Sequence, residues 1–183
     1  MRVISGSRRG LKLDTLEGLV TRPTSDRIKE TLFNMIAFEL RDSRFLDLFA
    51  GSGQMGIEAL SRGASFAIFV EKDKNALNVI KKNISKCKFE QSSKVISSDV
   101  VLAINSLKSE KEFDIVFMDP PYNKEIEKEV LQALRDLPCI SNSTLIIVEA
   151  SLETDFSYID DMGYELIKEK VYKTNKHLFL KKA

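Results

Sequence analysis

Phe45-Leu46-Asp47-Leu48-Phe49-Ala50-Gly51-Ser52-Gly53-Gln54-Met55-Gly56 reads as an apolar strand, a glycine turn and the start of a helix. Glycines at 51, 53 and 56 allow a sharp bend and a close backbone approach, and the helix start leaves N–H groups free to face a ligand. The spacing matches G-x-G-x-x-G, which alone suits a dinucleotide site or a purely structural turn. Beyond it the chain keeps alternating. Stretches 66–70, 94–97 and 113–118 are strand-like, while 54–62, 74–86 and 99–108 have helical spacing. A further helix carries Ile126, Val130, Leu131 and Leu134, and 144–149 is another apolar strand. The last two strands, 164–172 and 176–181, are close enough to form an antiparallel pair. This succession predicts an α/β fold with a seven-stranded, mostly parallel sheet, its last strand antiparallel, and helices on both faces.

Upstream of the alternation, 1–40 reads as an extension of a single domain whose core is 41–183. Short alternating runs at 2–6 and 11–16 flank Ser7-Arg8-Arg9-Gly10 and predict a small basic hairpin. Thr24 or Ser25 then supplies an N-cap, and Ile28, Leu32, Met35, Ile36 and Leu40 mark the buried stripe of one helix. The chain of 183 residues is 43% apolar and 30% charged, ordinary for a globular protein. No stretch approaches the length of a membrane span, and the amino terminus lacks a secretory apolar segment. Cys87 and Cys139 are isolated and His177 is the sole histidine, which argues against a zinc site and for a reducing cytoplasm. His177 is expected on the surface of a strand, and both cysteines as small packing residues. The net charge of +1 conceals segregation: residues 1–30 hold seven Lys/Arg against four Asp/Glu, and 168–183 hold six Lys against one Glu. Basic ends on an acidic middle suggest a polyanionic partner, or simply two solvated ends.

Chemistry concentrates at strand ends. Asp47 precedes the glycines, Glu71 closes the next strand twenty residues after Gly51, and Asp99 follows the third. An acid at the second position can accept hydrogen bonds from both ribose hydroxyls. Asp99 could bind an exocyclic amine or cap the helix after it. Three acids make a poor cradle for a pyrophosphate but suit a zwitterionic, net cationic ligand such as S-adenosylmethionine. The fourth strand ends in Asp119-Pro120-Pro121-Tyr122. Two prolines lack N–H donors and stiffen the corner, leaving a carboxylate, free carbonyls and an aromatic ring at the carboxyl edge of the sheet. Those three features fit an exocyclic amino group on a flat base.

In order and spacing, Asp47–Gly56, Glu71, Asp99 and Asp119–Tyr122 resemble the Rossmann-like class I S-adenosylmethionine-dependent methyltransferases that act on amino groups. The amino-terminal part is similar to the RsmD family: Arg2-Val3-Ile4-Ser5-Gly6, Arg9-Gly10, Arg22-Pro23-Thr24, Asp26-Arg27 and Glu30-Thr31-Leu32-Phe33-Asn34. So is Gly56-Ile57-Glu58-Ala59-Leu60-Ser61-Arg62-Gly63-Ala64. The resemblance implies methylation of guanine N2 in small-subunit (16S) ribosomal RNA, with S-adenosylhomocysteine as product. It implies that Asp47, Phe49, Ala50, Gly51, Gly53, Gly56, Glu71, Lys72, Asp99, Val100 and Asp119 line the cofactor side. Asp119, Pro120, Pro121 and Tyr122 would be catalytic: the Asp119 carboxylate and Pro120 carbonyl accept the two N2 hydrogens, and Tyr122 stacks on the base. No metal is needed, because the sulfonium already activates the methyl. Arg8, Arg9, Lys12, Arg22 and Arg27 are the expected RNA contacts. A monomer acting on an assembled or nearly assembled small subunit completes the expectation. The residues also admit an adenine-N6 or cytosine-N4 methyltransferase, a nicotinamide-dependent oxidoreductase built on the glycine turn, or a non-catalytic RNA-binding factor.

Overall fold

The computed structural model describes residues 1–16, 25–121 and 125–183. In chain order these form α1 (Asp26–Met35), α2 (Ala37–Leu40), β1 (Arg44–Asp47), α3 (Gln54–Ser61), β2 (Phe66–Glu71), α4 (Lys74–Cys87) and β3 (Ser93–Ser97). There follow α5 (Val100–Ser106), β4 (Ile115–Met118), α6 (Ile126–Arg135), β5 (Leu145–Ser151), β6 (Tyr164–Val171) and β7 (Asn175–Lys182). The strands make one seven-stranded sheet in the order β3-β2-β1-β4-β5-β7-β6. Strands β3 to β5 pair in parallel, whereas β7 runs antiparallel to both of its neighbours. The expected class and strand count hold.

Successive side chains of a strand point to opposite faces, so a sheet covered on both sides reads as a continuous apolar run. On one face Phe45, Phe69, Ile115 and Ile147 meet Leu32 and Phe33 of α1, Ile57 of α3 and Ile80 of α4. On the other, Leu46, Ile68, Val116, Met118 and Val148 meet Ile104 of α5 and Val130, Leu131 and Leu134 of α6. Cys87 and Cys139 are buried free thiols within these layers, as expected.

The amino-terminal segment differs in detail from the sequence reading. Its hairpin is reduced to one antiparallel bridge, Arg2 to Lys12, around a short 3-10 turn at Gly6–Arg8. The single predicted helix is broken at Ile36, which leaves helical geometry at φ −107° between α1 and α2. Ser25 caps α1 by accepting from the Ile28 N–H; Thr24, the other candidate, lies outside the described residues.

A buried ion pair fixes this segment. Lys29 and Glu58 are both fully buried, with Nζ 3.6 Å from Oε2. Lys29 Nζ donates to the Arg2 carbonyl at 2.7 Å. Glu58 Oε2 accepts the Ile4 N–H at 2.8 Å, and Oε1 accepts from the Ser5 N–H at 3.0 Å and from Arg62 Nε at 2.8 Å. Burial lowers the pKa of the Lys29 ammonium, and Glu58 opposes that shift. Gly6 seals the contact: at φ +82° a Cβ there would lie 1.8 Å from the Ser61 carbonyl oxygen.

Removing one partner of a buried pair leaves an uncompensated charge, which costs about 3–5 kcal/mol. Glu58→Ala is therefore expected to lose that much stability in urea unfolding. Adding Lys29→Met should restore part of it, the Ile4 and Ser5 N–H groups still lacking an acceptor.

Candidate active site

Gly51 (φ +54°) and Gly53 (φ +79°) take the left-handed conformation that turns β1 into α3. Gly56 is held by contact instead, because a Cβ would sit 2.3 Å from Phe69 Cε1. The loop is tied to β2 through Glu71. Its Oε2 accepts the Gly51 N–H at 2.9 Å, and its Oε1 accepts the Lys72 and Asp73 N–H groups at 2.8 Å each. Ala50 is buried under the loop and Phe49 is half-buried beside it. Asp99 caps α5, accepting the Val101 N–H at 3.2 Å, and its exposed carboxylate lies 3.7 Å from Lys72 Nζ. Both readings of Asp99 thus remain compatible, with Val100 buried behind it.

Asp47 is 1% exposed. Its Oδ2 accepts the Gly56 N–H at 3.3 Å, and its Oδ1 has no partner among the described residues. Burial pushes its pKa up to about 7; the Gly56 N–H pulls it back, and the Glu71 charge adds to the rise. A buried acceptor without a donor, in a loop lined by acids, fits a cationic ligand.

Asp119 follows β4 and is half-buried, Pro120 is buried and Pro121 exposed. Tyr122 lies outside the described residues. Burial raises the Asp119 carboxyl well above the usual aspartate range, with Glu149 and Asp47 adding to the rise. Met118 pairs with Val148 across parallel strands, which brings Asp119 alongside Glu149 at the same edge. Four adjacent strands, β2-β1-β4-β5, thus bring Glu71, Asp47, Asp119 and Glu149 to the carboxyl edge. The connections reverse direction between β1 and β4, where open α/β sheets form their binding crevice.

One expectation is corrected outright. His177 is fully buried, not a surface residue. It pairs with Glu149 across β5 and β7, its Nε2 3.1 Å from Glu149 Oε2 and its Nδ1 3.3 Å from the Tyr172 hydroxyl. Asn175 Nδ2 donates to Glu149 Oε1 at 2.6 Å. Glu149, Asn175, His177 and Tyr172 were absent from the sequence-based site; the available signal was the sole histidine, next to the apolar run Leu178-Phe179-Leu180.

Among the described residues the basic candidates do not cluster. Arg8 Nε donates to the Cys87 carbonyl at 2.6 Å, and its guanidinium lies 5.1 Å over the Phe89 ring. That anchors the hairpin tip at the carboxyl ends of α3 and α4, the sheet edge opposite the acids, with Arg9 exposed beside it. Arg8 thus clamps the hairpin to the end of α4, with its side chain only partly exposed. Lys12 is exposed on the bridge to Arg2. Asn34 of α1 meets Arg62 past the end of α3, while Lys29 meets Glu58 one turn earlier. Helix α1 therefore runs parallel to α3, and exposed Arg27 in its first turn lies toward the acidic edge, where α3 also begins. Arg22 lies outside the described residues.

A sheet of this order, with a glycine loop after β1 and acids at the following strand ends, defines a Rossmann-like class I methyltransferase, a class whose donor is of the S-adenosylmethionine type. The family described as "Conserved hypothetical protein 95" matches residues 1–181. A Haemophilus influenzae protein named ribosomal RNA small subunit methyltransferase D is 39% identical over 172 residues, 93% of this chain and 88% of its own. The Escherichia coli K12 protein of that name is 35% identical over 93% of this chain and 84% of its own. A solved Escherichia coli structure, designated yhhF and a candidate methyltransferase, superposes with TM-score 0.85 at 34% identity, covering 100% of this chain and 97% of that one. The chain belongs to this family, the RsmD methyltransferases.

Folded Asp47 titrates near 7, against 3.8 for the free side chain, so its charge opposes folding increasingly as pH rises through that window. Asp47→Asn should raise the thermal midpoint of the ligand-free protein above about pH 7 and give no gain below 3.8. Melting curves across that range test the assignment; an unchanged midpoint at high pH would refute it.

Proposed function

We propose that this protein transfers one methyl group from S-adenosylmethionine to the exocyclic N2 amine of a guanine in 16S ribosomal RNA. The observation that carries the reading is the Asp119-Pro120 corner beside Asp47, where a carboxylate and a peptide carbonyl border the acidic loop. S-adenosylmethionine supplies a methyl carbon made electrophilic by the adjacent sulfonium. Asp47 Oδ1 would accept from the ligand ammonium, and Glu71 would take the ribose hydroxyls on the lone pairs its backbone donors leave free. Asp119 and the Pro120 carbonyl would accept the two amine hydrogens and aim the nitrogen lone pair at the methyl. Such holding of both reactants in line contributes up to ~7–11 kcal/mol in favourable cases. Favouring the pyramidal amine that develops in the transition state adds differential binding. Tyr122 would stack on the extruded base, worth ~1–3 kcal/mol.

The substrate class is carried over from the relatives' names together with the corner's fit to an amine. The protein would act as a cytoplasmic monomer on an assembled or nearly assembled small subunit, in keeping with its modest basic surface. Among the described residues no helix is long and apolar enough to cross a membrane.

Asp119→Ala is expected to lower methyl transfer to small subunits at least ~100-fold, the lower end of what a positioned acid–base group contributes. Retained activity would remove the assignment. Mapping the methylated nucleotide separates guanine N2 from adenine N6 or cytosine N4. Calorimetry should detect S-adenosylmethionine binding and none with NAD. For the RNA, Arg27→Glu should reduce the salt dependence of binding by about one unit of slope or more, whereas Arg9→Glu, at the far edge, should change it little.

A further inference from the structure

Glu149 is 4% exposed at the carboxyl end of β5, within the site edge yet outside the roles assigned above. Both of its oxygens are held: Oε1 by Asn175 Nδ2 at 2.6 Å and Oε2 by His177 Nε2 at 3.1 Å. An ionised carboxylate only accepts, so Nε2 donates to it; in the neutral ring Nδ1 then accepts from the Tyr172 hydroxyl at 3.3 Å. Tyr172 can serve as that donor because burial, then Glu149, pushes its pKa up to about 12. The imidazole is fixed by ring contacts as well, edge-on to Tyr172 at 5.0 Å and to Phe117 at 6.4 Å. Two side-chain donors thus hold this carboxylate deep in the protein, and strand register sets it beside Asp119. Among the described residues, the groups facing Asp119 are Asp47 on β1 and Glu149 on β5, with Asn175 and His177 on β7 and Tyr172 before it behind Glu149.

We propose that Glu149 is a positioning residue for the transfer, holding negative charge against Asp119 so that Asp119 can take the proton that the target amine releases. The inference rests on the function proposed above. As the N2–carbon bond forms, the carbon–sulfur bond breaks with its electron pair left on sulfur, and one proton then moves from the nitrogen to an Asp119 oxygen. A like charge nearby disfavours the ionised form of a carboxyl and so makes Asp119 the stronger base. The same device gives the buried histidine a use: His177 donates to Glu149 and holds its carboxylate in place, rather than transferring a proton itself.

Glu149→Gln keeps the shape and removes the charge. In free protein with carbon-13-labelled aspartate carboxyls, the Asp119 titration should move at least about one pH unit lower than in the wild type. In single-turnover transfer, the acid limb of the rate profile should move down by the same amount and the plateau rate should fall; Glu149→Asp should recover part of both. A lost plateau with an unmoved titration would mean a merely structural role and overturns the proposal. Should Glu149→Gln fail to fold, Asn175→Ala replaces it. With one donor gone, Glu149 protonates more readily, so the Asp119 titration should move in the same direction; an unmoved one overturns the proposal. Asp119→Ala separates the two levels: if that variant keeps its activity the proposed function falls, whereas an inactive Asp119→Ala beside an unshifted Glu149→Gln sinks only the role of Glu149.

Discussion

Negative charge collected at one edge of the sheet is the constraint to which the rest of the structure answers. Parallel strands all end on the same side, so an acid closing each of several strands becomes a row of neighbours. Glu71, Asp47, Asp119 and Glu149 form such a row, and no Lys or Arg acts on Asp47 or Asp119 among the described residues. Like charges in a dry environment raise one another's proton affinity, which weakens the free protein. The topology supplies the offset. Each crossover helix that follows a parallel strand begins at this same edge, so α3, α4 and α5 bring N–H groups and positive dipole ends to it. Gly51, Gly56, Lys72 and Asp73 N–H groups all donate into the row.

Helix α3 joins this edge to the amino-terminal segment. Its first turn carries Gly56, whose N–H meets Asp47, and its later turns carry Glu58 and Ser61, which hold Ile4, Ser5 and Arg8. A shift of α3 would therefore alter both the loop and the seat of α1. The Lys29–Glu58 pair contributes less through net energy than through exclusivity, since neither charge tolerates another partner geometry once buried.

The parts legible in the sequence were those governed by short-range periodicity. Apolar runs and helical stripes gave every strand of the sheet within a few residues, and the glycines gave the loop after β1. The missed parts depend on partners far along the chain. Lys29, counted only among the basic residues of the amino-terminal end, finds its partner when Glu58 is brought to it from α3. His177 looks like a surface residue of a terminal strand because Glu149, its partner, belongs to a strand 28 residues earlier. The Arg8 clamp is likewise out of sight in the sequence, because the carbonyl it binds, that of Cys87, lies 79 residues downstream. At Ile36 the backbone leaves the helix while Ile36 and Leu40 both stay buried, so the stripe that periodicity joined persists across a break it could not register.

The four carboxylates are not equivalent, and the sheet explains why. Glu71 receives three backbone N–H donors and is held as a strut between two loops. Asp47 receives one, keeps a buried oxygen without a donor, and so retains an unmet demand for positive charge. Asp119 sits past the end of β4 on a proline corner that offers no N–H from Pro120 or Pro121 to offset the rise in its pKa. Glu149 is stabilised by side chains of the antiparallel strand, which only that end of the sheet supplies. On the proposed reading, the crevice between β1 and β4 thus separates a half that attracts a cation from a half that accepts hydrogens, and methyl transfer to an amine needs one of each side by side.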